Sequence, residues 1–226
     1  MNKRLWLPII ISLCVCVAQV VLAKTTITTD KQKLSYALGA YFSQGVKQQN
    51  ADLDIPTFLQ AVEDSLKKEP LQMTDSEIQI VLNQYKEKLA SERNATAAAN
   101  KTAGQTFLEI NKAKEGVVAL PSGLQYKIIQ EGTGAKPTST SNVKVHYQGT
   151  LLDGKVFDSS YERGEPVSFN LNQVIKGWQE ILLLMTVGSK WQVYIPPELA
   201  YGERGAGSSI GPDATLIFDI ELIGIN

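Results

Sequence analysis

The dominant apolar period of this 226-residue chain changes at Val117, and only one short helical stretch returns after it. Before it, apolar residues recur at spacings of three and four; after it, they alternate one by one. A pattern of period 3.6 puts its apolar side chains on one face of a helix, and a pattern of period 2 puts them on one face of a strand. Here the two kinds are segregated along the chain, not interleaved. That excludes alternating strand–helix units around a parallel sheet and predicts an α+β protein: an all-helical N-terminal part and a C-terminal antiparallel sheet. Hydrophobic residues make up 43% of the chain and charged residues 20%, too apolar a balance for wholesale disorder.

In the helical part, Thr29 or Asp30 can cap a first helix carrying Leu34, Ala37, Leu38, Tyr41 and Phe42. Asn50 to Asp54 is a polar break. Asp54 followed by Pro56 opens a second helix, with Phe58, Leu59, Val62 and Leu66 on one face, and Pro70 stops it. Thr74-Asp75-Ser76-Glu77 fits a capping box for a third helix, whose stripe is Ile78, Val81, Leu82, Tyr85 and Leu89. From Ala90 to Thr106 no large apolar residue occurs, yet the stretch lacks proline and is rich in Ala, Lys and Glu. Two readings stand: a frayed linker, weakened by Asn94, Asn100 and Gly104, or a helix continuous from Asp75 to Lys114. The composition favours the helix, which would span ~60 Å and, being polar all round, would bridge domains through solvent. The first two helices and the start of the third form a unit too small to bury much surface alone. A second copy would complete it as a two-fold dimer; the competing arrangement is a monomeric three-helix unit.

The N-terminus reads as a targeting segment. Lys3 and Arg4 precede an apolar run from Leu5 to Leu22, which ends in Val21-Leu22-Ala23. Residues 1–23 are expected to be a cleaved secretory signal, against the alternative of an uncleaved anchor; Pro8 and Gln19 shorten the apolar run below the ~20 residues of a spanning helix. Both cysteines, Cys14 and Cys16, lie inside it, so the mature chain has none. Disulfides, thiol nucleophiles and cysteine-ligated metals are thereby excluded. Lys3 and Arg4 are two of the 22 basic residues and the segment holds none of the 23 acidic ones, leaving a mature charge of −3. Nothing in that balance calls for nucleic acid as a partner.

Beyond Val117, five runs alternate: Leu124 to Ile128, Val143 to Gln148, Val167 to Leu171, Lys190 to Ile195 and Leu216 to Leu222. They predict an antiparallel sheet with one buried face. A short helix, capped by Asn172, places Val174, Ile175, Trp178, Ile181 and Leu182 on one side, against that face. The alternation puts His146, the only histidine, opposite Val145 and Tyr147, as a surface residue. A Ser-His-Asp enzyme and a multi-histidine metal site are therefore both excluded. Gly202 to Gly211 is glycine-rich but has no Lys-Ser/Thr ending and leads into a strand, so it is no phosphate loop. What remains is a group of aromatics, Tyr147, Phe157, Phe169, Trp178, Tyr201 and Phe218, with Asp158 and Arg163 beside them. From the residues alone, core packing and a binding cup are both open.

Several strings in this half resemble the FKBP-type peptidyl-prolyl isomerases. They are Val143-Lys-Val-His-Tyr147, Gly154-Lys-Val-Phe-Asp-Ser-Ser160, Val174-Ile-Lys-Gly-Trp178, Leu199-Ala-Tyr-Gly202 and Ala214-Thr-Leu-Ile-Phe-Asp219. The likeness covers residues 117–226 in order. The whole layout, with Leu120-Pro-Ser-Gly-Leu-Gln-Tyr126 at the entry, is similar to the macrophage infectivity potentiator subgroup. That resemblance implies a helical dimerisation domain over 24–73, a long connecting helix over 74–115 and an isomerase domain over 116–226. It implies a homodimer formed through the N-terminal helices, proline-containing protein clients, competition by macrocyclic FKBP inhibitors, no cofactor and no metal. The location it implies is the periplasm, the outer membrane or the cell surface.

The resemblance also assigns roles. Trp178 would be the floor under the proline ring, and Tyr147, Phe157, Phe169, Val174, Ile175 and Phe218 the walls. Asp158 would accept hydrogen bonds inside the cup and pair with Arg163. Tyr201 would donate to a substrate carbonyl, the Ile175 amide to another, and Ile210 would close the flap. Val167 stands where many relatives carry an aromatic and Ala206 where some carry a histidine; both lie on the rim and bear on preference beside the proline. Two other readings remain: a client-holding chaperone without need of turnover, and a surface adhesin.

Overall fold

The computed structural model describes residues 26–48 and 51–226, so the expected signal segment lies outside the described residues. Two compact units divide at Asp54 and Ile55. The first contributes helix α1, Asp30–Gln48. Its start is set by a reciprocal cap: Gln32 N donates to Thr29 Oγ1 (3.2 Å), and Thr29 N donates to Gln32 Oε1 (3.0 Å). Leu34, Leu38 and Tyr41 follow at spacings of four and three, and all three are exposed.

In the second unit, α2 runs Ile55–Lys67 with Pro56 in its first turn, where a missing N–H costs nothing. Helix α3, Asp75–Asn111, is 37 residues long and begins at the expected capping box. Glu77 N donates to Thr74 Oγ1 (3.3 Å) and Thr74 N to Glu77 Oε2 (2.8 Å). Among the described residues, no helix is long and apolar enough to cross a membrane.

The expectation that α3 bridges through solvent is corrected. Over its second half one face is docked on the sheet domain. Arg93 Nη2 donates to the carbonyls of Glu203 and Arg204, and Asn100 Nδ2 donates to that of Pro212. Gly104 is buried against Thr215, where a Cβ would overlap the threonine hydroxyl. Asn111, fully buried, donates to Gln125 Oε1 (3.0 Å), and Gln125 Nε2 donates to Leu108 O (2.8 Å). Positions 93, 97, 100, 104, 108 and 111 recur at three and four, so the face is helical in period but, Leu108 apart, built from small and polar residues. An apolar pattern is blind to such a face. Its contacts come from close backbone approach, from hydrogen bonds to loop carbonyls and to Gln125, and, at its end, from the Phe107 ring against Tyr194.

The sheet has seven antiparallel strands in the order β1-β2-β6-β7-β3-β4, with β5 also paired to β3. They are β1 Val117–Ala119, β2 Gln125–Gln130, β3 Asn142–Thr150, β4 Val156–Ser159, β5 Val167–Asn170, β6 Lys190–Ile195 and β7 Leu216–Ile225. The short β1 and β4 carried too little alternation to be read from sequence. β3, β6 and β7 send Val143, Val145, Trp191, Val193, Ile195, Leu216, Ile220 and Leu222 into one core. Helix α4, Lys176–Leu182, closes it with Trp178, Ile181 and Leu182. Gly177 lets α4 approach the sheet: a Cβ there would lie 2.5 Å from Ile195 Cγ2.

The one-face expectation fails along β2 and β6. Gln125 and Tyr194 point away from the core yet are buried, because the end of α3 covers them, with the Phe107 ring 5.7 Å from that of Tyr194. Ile128, expected inward, stays exposed. Asn172 does not cap α4. Leu171–Gln173 forms a separate 3₁₀ turn, extended Val174 interrupts it, and Ile175 takes the N-cap position without a side-chain bond. His146 does lie opposite Val145 and Tyr147 but is half-buried, not a free surface residue. Its ring stacks on Tyr161 at 4.6 Å, and Nδ1 is 2.9 Å from Ser160 Oγ.

Candidate active site

Where α4 meets the inner face of the sheet, a cup of about 300 Å³ opens to solvent. Trp178 sits at its base. It is only 4% exposed, yet it lines the opening. Three rings meet the indole nearly edge-on: Tyr147 at 5.1 Å and 88°, Phe218 at 5.3 Å and 80°, and Phe169 at 5.7 Å and 85°. Such edge-to-face packing is the favoured arrangement of aromatic quadrupoles and fixes each ring's tilt. Phe157 meets Phe218 in the same way at 5.5 Å and 87°. Each ring is delivered by a different strand: Tyr147 by β3, Phe157 by β4, Phe169 by β5 and Phe218 by β7. Val174, Ile175 and Tyr201 complete the wall.

Two further residues shape the cup, one lining it and one beneath its rings. Gln173 lines the cup from the 3₁₀ turn ahead of α4. Gly149 lets two rings close over β3, since a Cβ there would fall 2.5 Å from Phe157 Cζ and 2.8 Å from Phe218 Cε1. A glycine inside a strand is a sign of close approach, and that was the available signal.

One corner of the cup is polar. The Tyr147 hydroxyl donates to Asp158 Oδ2 (2.5 Å) and accepts from Arg163 Nη2 (2.8 Å). Arg163 Nη1 donates to Asp158 Oδ1 (2.5 Å), so each carboxylate oxygen is engaged. Burial pushes the Asp158 carboxyl up, but the hydrogen bonds from Tyr147 and Arg163 outweigh it and leave the group below its ordinary value. Burial, then the bond to Asp158, pushes the Tyr147 hydroxyl up to about 12. Burial and the Asp158 charge also raise Tyr201. At neutral pH this corner is a fixed carboxylate between a phenol and a guanidinium, suited to orienting a guest and ill suited to proton transfer.

Arg163 reaches the cup only through this triangle and does not line it. Ile210 is buried in the core, its backbone paired with Ala206 in both directions (2.9 and 3.1 Å), and it does not line the cup either. His146 also stands outside. Among the described residues, no group of three or more His, Cys, Asp or Glu is placed to hold a metal ion.

Residues 133–223 match the model of the FKBP-type peptidyl-prolyl cis-trans isomerases, and residues 31–128 match that of the domain amino-terminal to them. The chain is 43% identical over 229 residues to the outer membrane protein MIP of Legionella longbeachae, covering 100% of this chain and 98% of that protein. The chain belongs to the FKBP-type peptidyl-prolyl cis-trans isomerase family. It is an enzyme of that type, in the subgroup similar to macrophage infectivity potentiators. The peptidyl-prolyl cis-trans isomerase Mip of Coxiella burnetii is 40% identical, covering 99% of this chain and 98% of that protein. The crystal structure of FkpA from Escherichia coli aligns with a TM-score of 0.62 at 36% identity, covering 89% of this chain and 99% of that one.

Proposed function

We propose that this isomerase rotates X–Pro bonds in the cup floored by Trp178, by desolvation and without proton transfer. The barrier to rotation, about 18–20 kcal/mol, is mostly lost amide resonance. The planar amide carries more carbonyl charge than the twisted one and is better hydrated. An apolar cup that strips water from it therefore favours the twisted form, and a differential of about 6–8 kcal/mol gives roughly 10⁴- to 10⁶-fold acceleration. Trp178 takes the flat face of the proline ring, and Tyr147, Phe157, Phe169, Val174, Ile175 and Phe218 exclude water around it. Asp158, locked by Tyr147 and Arg163, presents a fixed negative field. The Tyr201 hydroxyl and the Ile175 amide hold carbonyls of the peptide. Macrocyclic FKBP inhibitors compete for the same cup. The observation that carries this reading is the edge-on enclosure of a nearly buried indole that still opens to solvent.

The protein is read as secreted, with residues 1–23 removed, and as working in the periplasm or at the cell surface. Residues 24–73 form the dimerisation domain and 74–115 the connection to the isomerase domain over 116–226. Support for a homodimer comes from Leu34, Leu38 and Tyr41 on α1 and Leu59 and Leu66 on α2, apolar side chains at helical spacing that are more than half exposed in the single chain. Those faces also favour a second role, holding unfolded clients, with turnover secondary. An X–Pro peptide assay and a client-aggregation assay, run on wild type and Trp178→Ala, separate the two. Loss of turnover with client protection retained supports both roles. A Trp178→Ala protein that is folded and still turns over at the wild-type rate refutes the cup as the site.

A further inference from the structure

We propose that Arg93, on helix α3, is a positioning residue for the isomerase site, a strut that fixes the turn carrying Tyr201. The inference rests on the reading that Tyr201 closes the proline cup. Tyr201 is the last residue before the 3₁₀ turn Gly202–Arg204, and the chain then loops out before β7 begins at Leu216. Within the loop, Asp213 N and Gly205 N both donate to Gly202 O (2.9 and 3.3 Å), and Ala206 pairs with Ile210, whose side chain is buried in the core. Gly205 and Gly207 have positive φ, a backbone conformation that glycine adopts at no steric cost.

Its attachment to the rest of the domain includes α3. The Arg93 guanidinium donates from Nη2 to two successive carbonyls, Glu203 O and Arg204 O, both at 2.9 Å. These are the terminal carbonyls of the turn that follows Tyr201, where a cation is favoured electrostatically. Two turns along α3, Asn100 Nδ2 fixes Pro212 O (2.8 Å) at the other side of the neck. Gly104, one turn further, sets the closeness of the docking against Thr215. None of these helix residues lines the cup. Arg93 holds the carbonyls of residues 203 and 204, so its path to the cup runs through the loop to Tyr201, whereas Gly104 abuts Thr215 at the start of β7, the strand that carries Phe218.

The test measures kcat/KM of the full chain on a chromogenic Xaa-Pro-Phe tetrapeptide, with thermal midpoints recorded beside it. Arg93→Ala is expected to lower kcat/KM about three- to tenfold without lowering the midpoint. Arg93→Lys, which keeps a cationic donor, is expected to recover part of the loss. The deciding readout is coupling: in a Tyr201→Phe background, Arg93→Ala should cause no further loss. Losses that multiply in the double variant overturn the proposal, as does Arg93→Ala at the wild-type rate beside an impaired Tyr201→Phe. Tyr201→Phe at the wild-type rate would instead remove the role of Tyr201 itself, and the strut with it. Should Arg93→Ala fail to fold, Asn100→Ala in the same coupling carries the test.

Discussion

Replacing Gly104 by alanine distinguishes a docked α3 from a solvated one by the sign of its effect. In a helix interior, Ala is more favourable than Gly by roughly 0.5–1 kcal/mol, because Gly loses more backbone freedom on folding. If α3 passed through solvent at this point, Gly104→Ala would therefore stabilise the chain. In the docked arrangement the new Cβ overlaps Thr215 Oγ1 and lies 3.3 Å from Thr215 Cβ. Overpacking of this kind costs about 1–3 kcal/mol, which outweighs the helical gain and leaves a net loss of about 0.5–2 kcal/mol. Thr215 is 2% exposed, and its hydroxyl is buried without a hydrogen-bond partner, so trimming it sacrifices no bond. Gly104→Ala combined with Thr215→Ala should recover most of the loss, a coupling of about 1 kcal/mol. Urea unfolding followed by the fluorescence of Trp178 and Trp191 reads the isomerase domain directly. Stabilisation of about 1 kcal/mol by Gly104→Ala alone, with no coupling to Thr215, would refute the docked helix.

Three other predictions concern the site and the assembly. The cup's rate should be flat from about pH 5 to pH 9. Asp158, held below its ordinary value of 3.8, contributes stability that is complete above that value and is lost only as pH falls below it. Tyr147 is favoured in its neutral form, a contribution present below its ordinary 10.0 and lost as pH rises towards about 12. A bell-shaped kcat/KM profile with an apparent pKa near 7 would contradict this. Gly149→Ala should cut kcat/KM at least about tenfold by forcing the Phe157 and Phe218 rings apart, with a stability loss of about 1–3 kcal/mol; unchanged turnover in stopped flow would show that the ring placement is immaterial. If the proposed homodimer forms through α1, Leu38→Asp should yield a monomer in sedimentation while leaving tetrapeptide turnover intact; a monomeric wild type would remove the premise.

Much of the architecture was legible because it is local. The starts of α1 and α3 follow from Thr29 with Gln32 and from Thr74 with Glu77, pairs three residues apart whose bonds form whenever the helix does. The inward residues of β3, β6 and β7 follow from strict alternation. Of the site, the four aromatic rings around Trp178 could be named from the strings that carry them, though alternation alone gave no reason to choose a cup over a solid core. The Tyr147–Asp158–Arg163 triangle was only partly legible: the Asp158–Arg163 pair was expected, but the bridging hydroxyl depends on how β3, β4 and the turn after β4 bring residues 11 and 16 positions apart together.

Capping chemistry and residue period thus determined by themselves the starts of α1 and α3, the longer strands, and which side of β3, β6 and β7 turns inward. Only the tertiary structure decided that α3 lies against the domain it leads into, that Gln125 and Tyr194 are buried on the outer face, and that Ile210 sits in the core. The physical reason is the range of the forces involved. Hydrophobic patterning records burial of large side chains, whereas over residues 93–104 α3 is held by a glycine's missing Cβ and by donors reaching carbonyls about 110 residues away, and such contacts leave no apolar period in the chain.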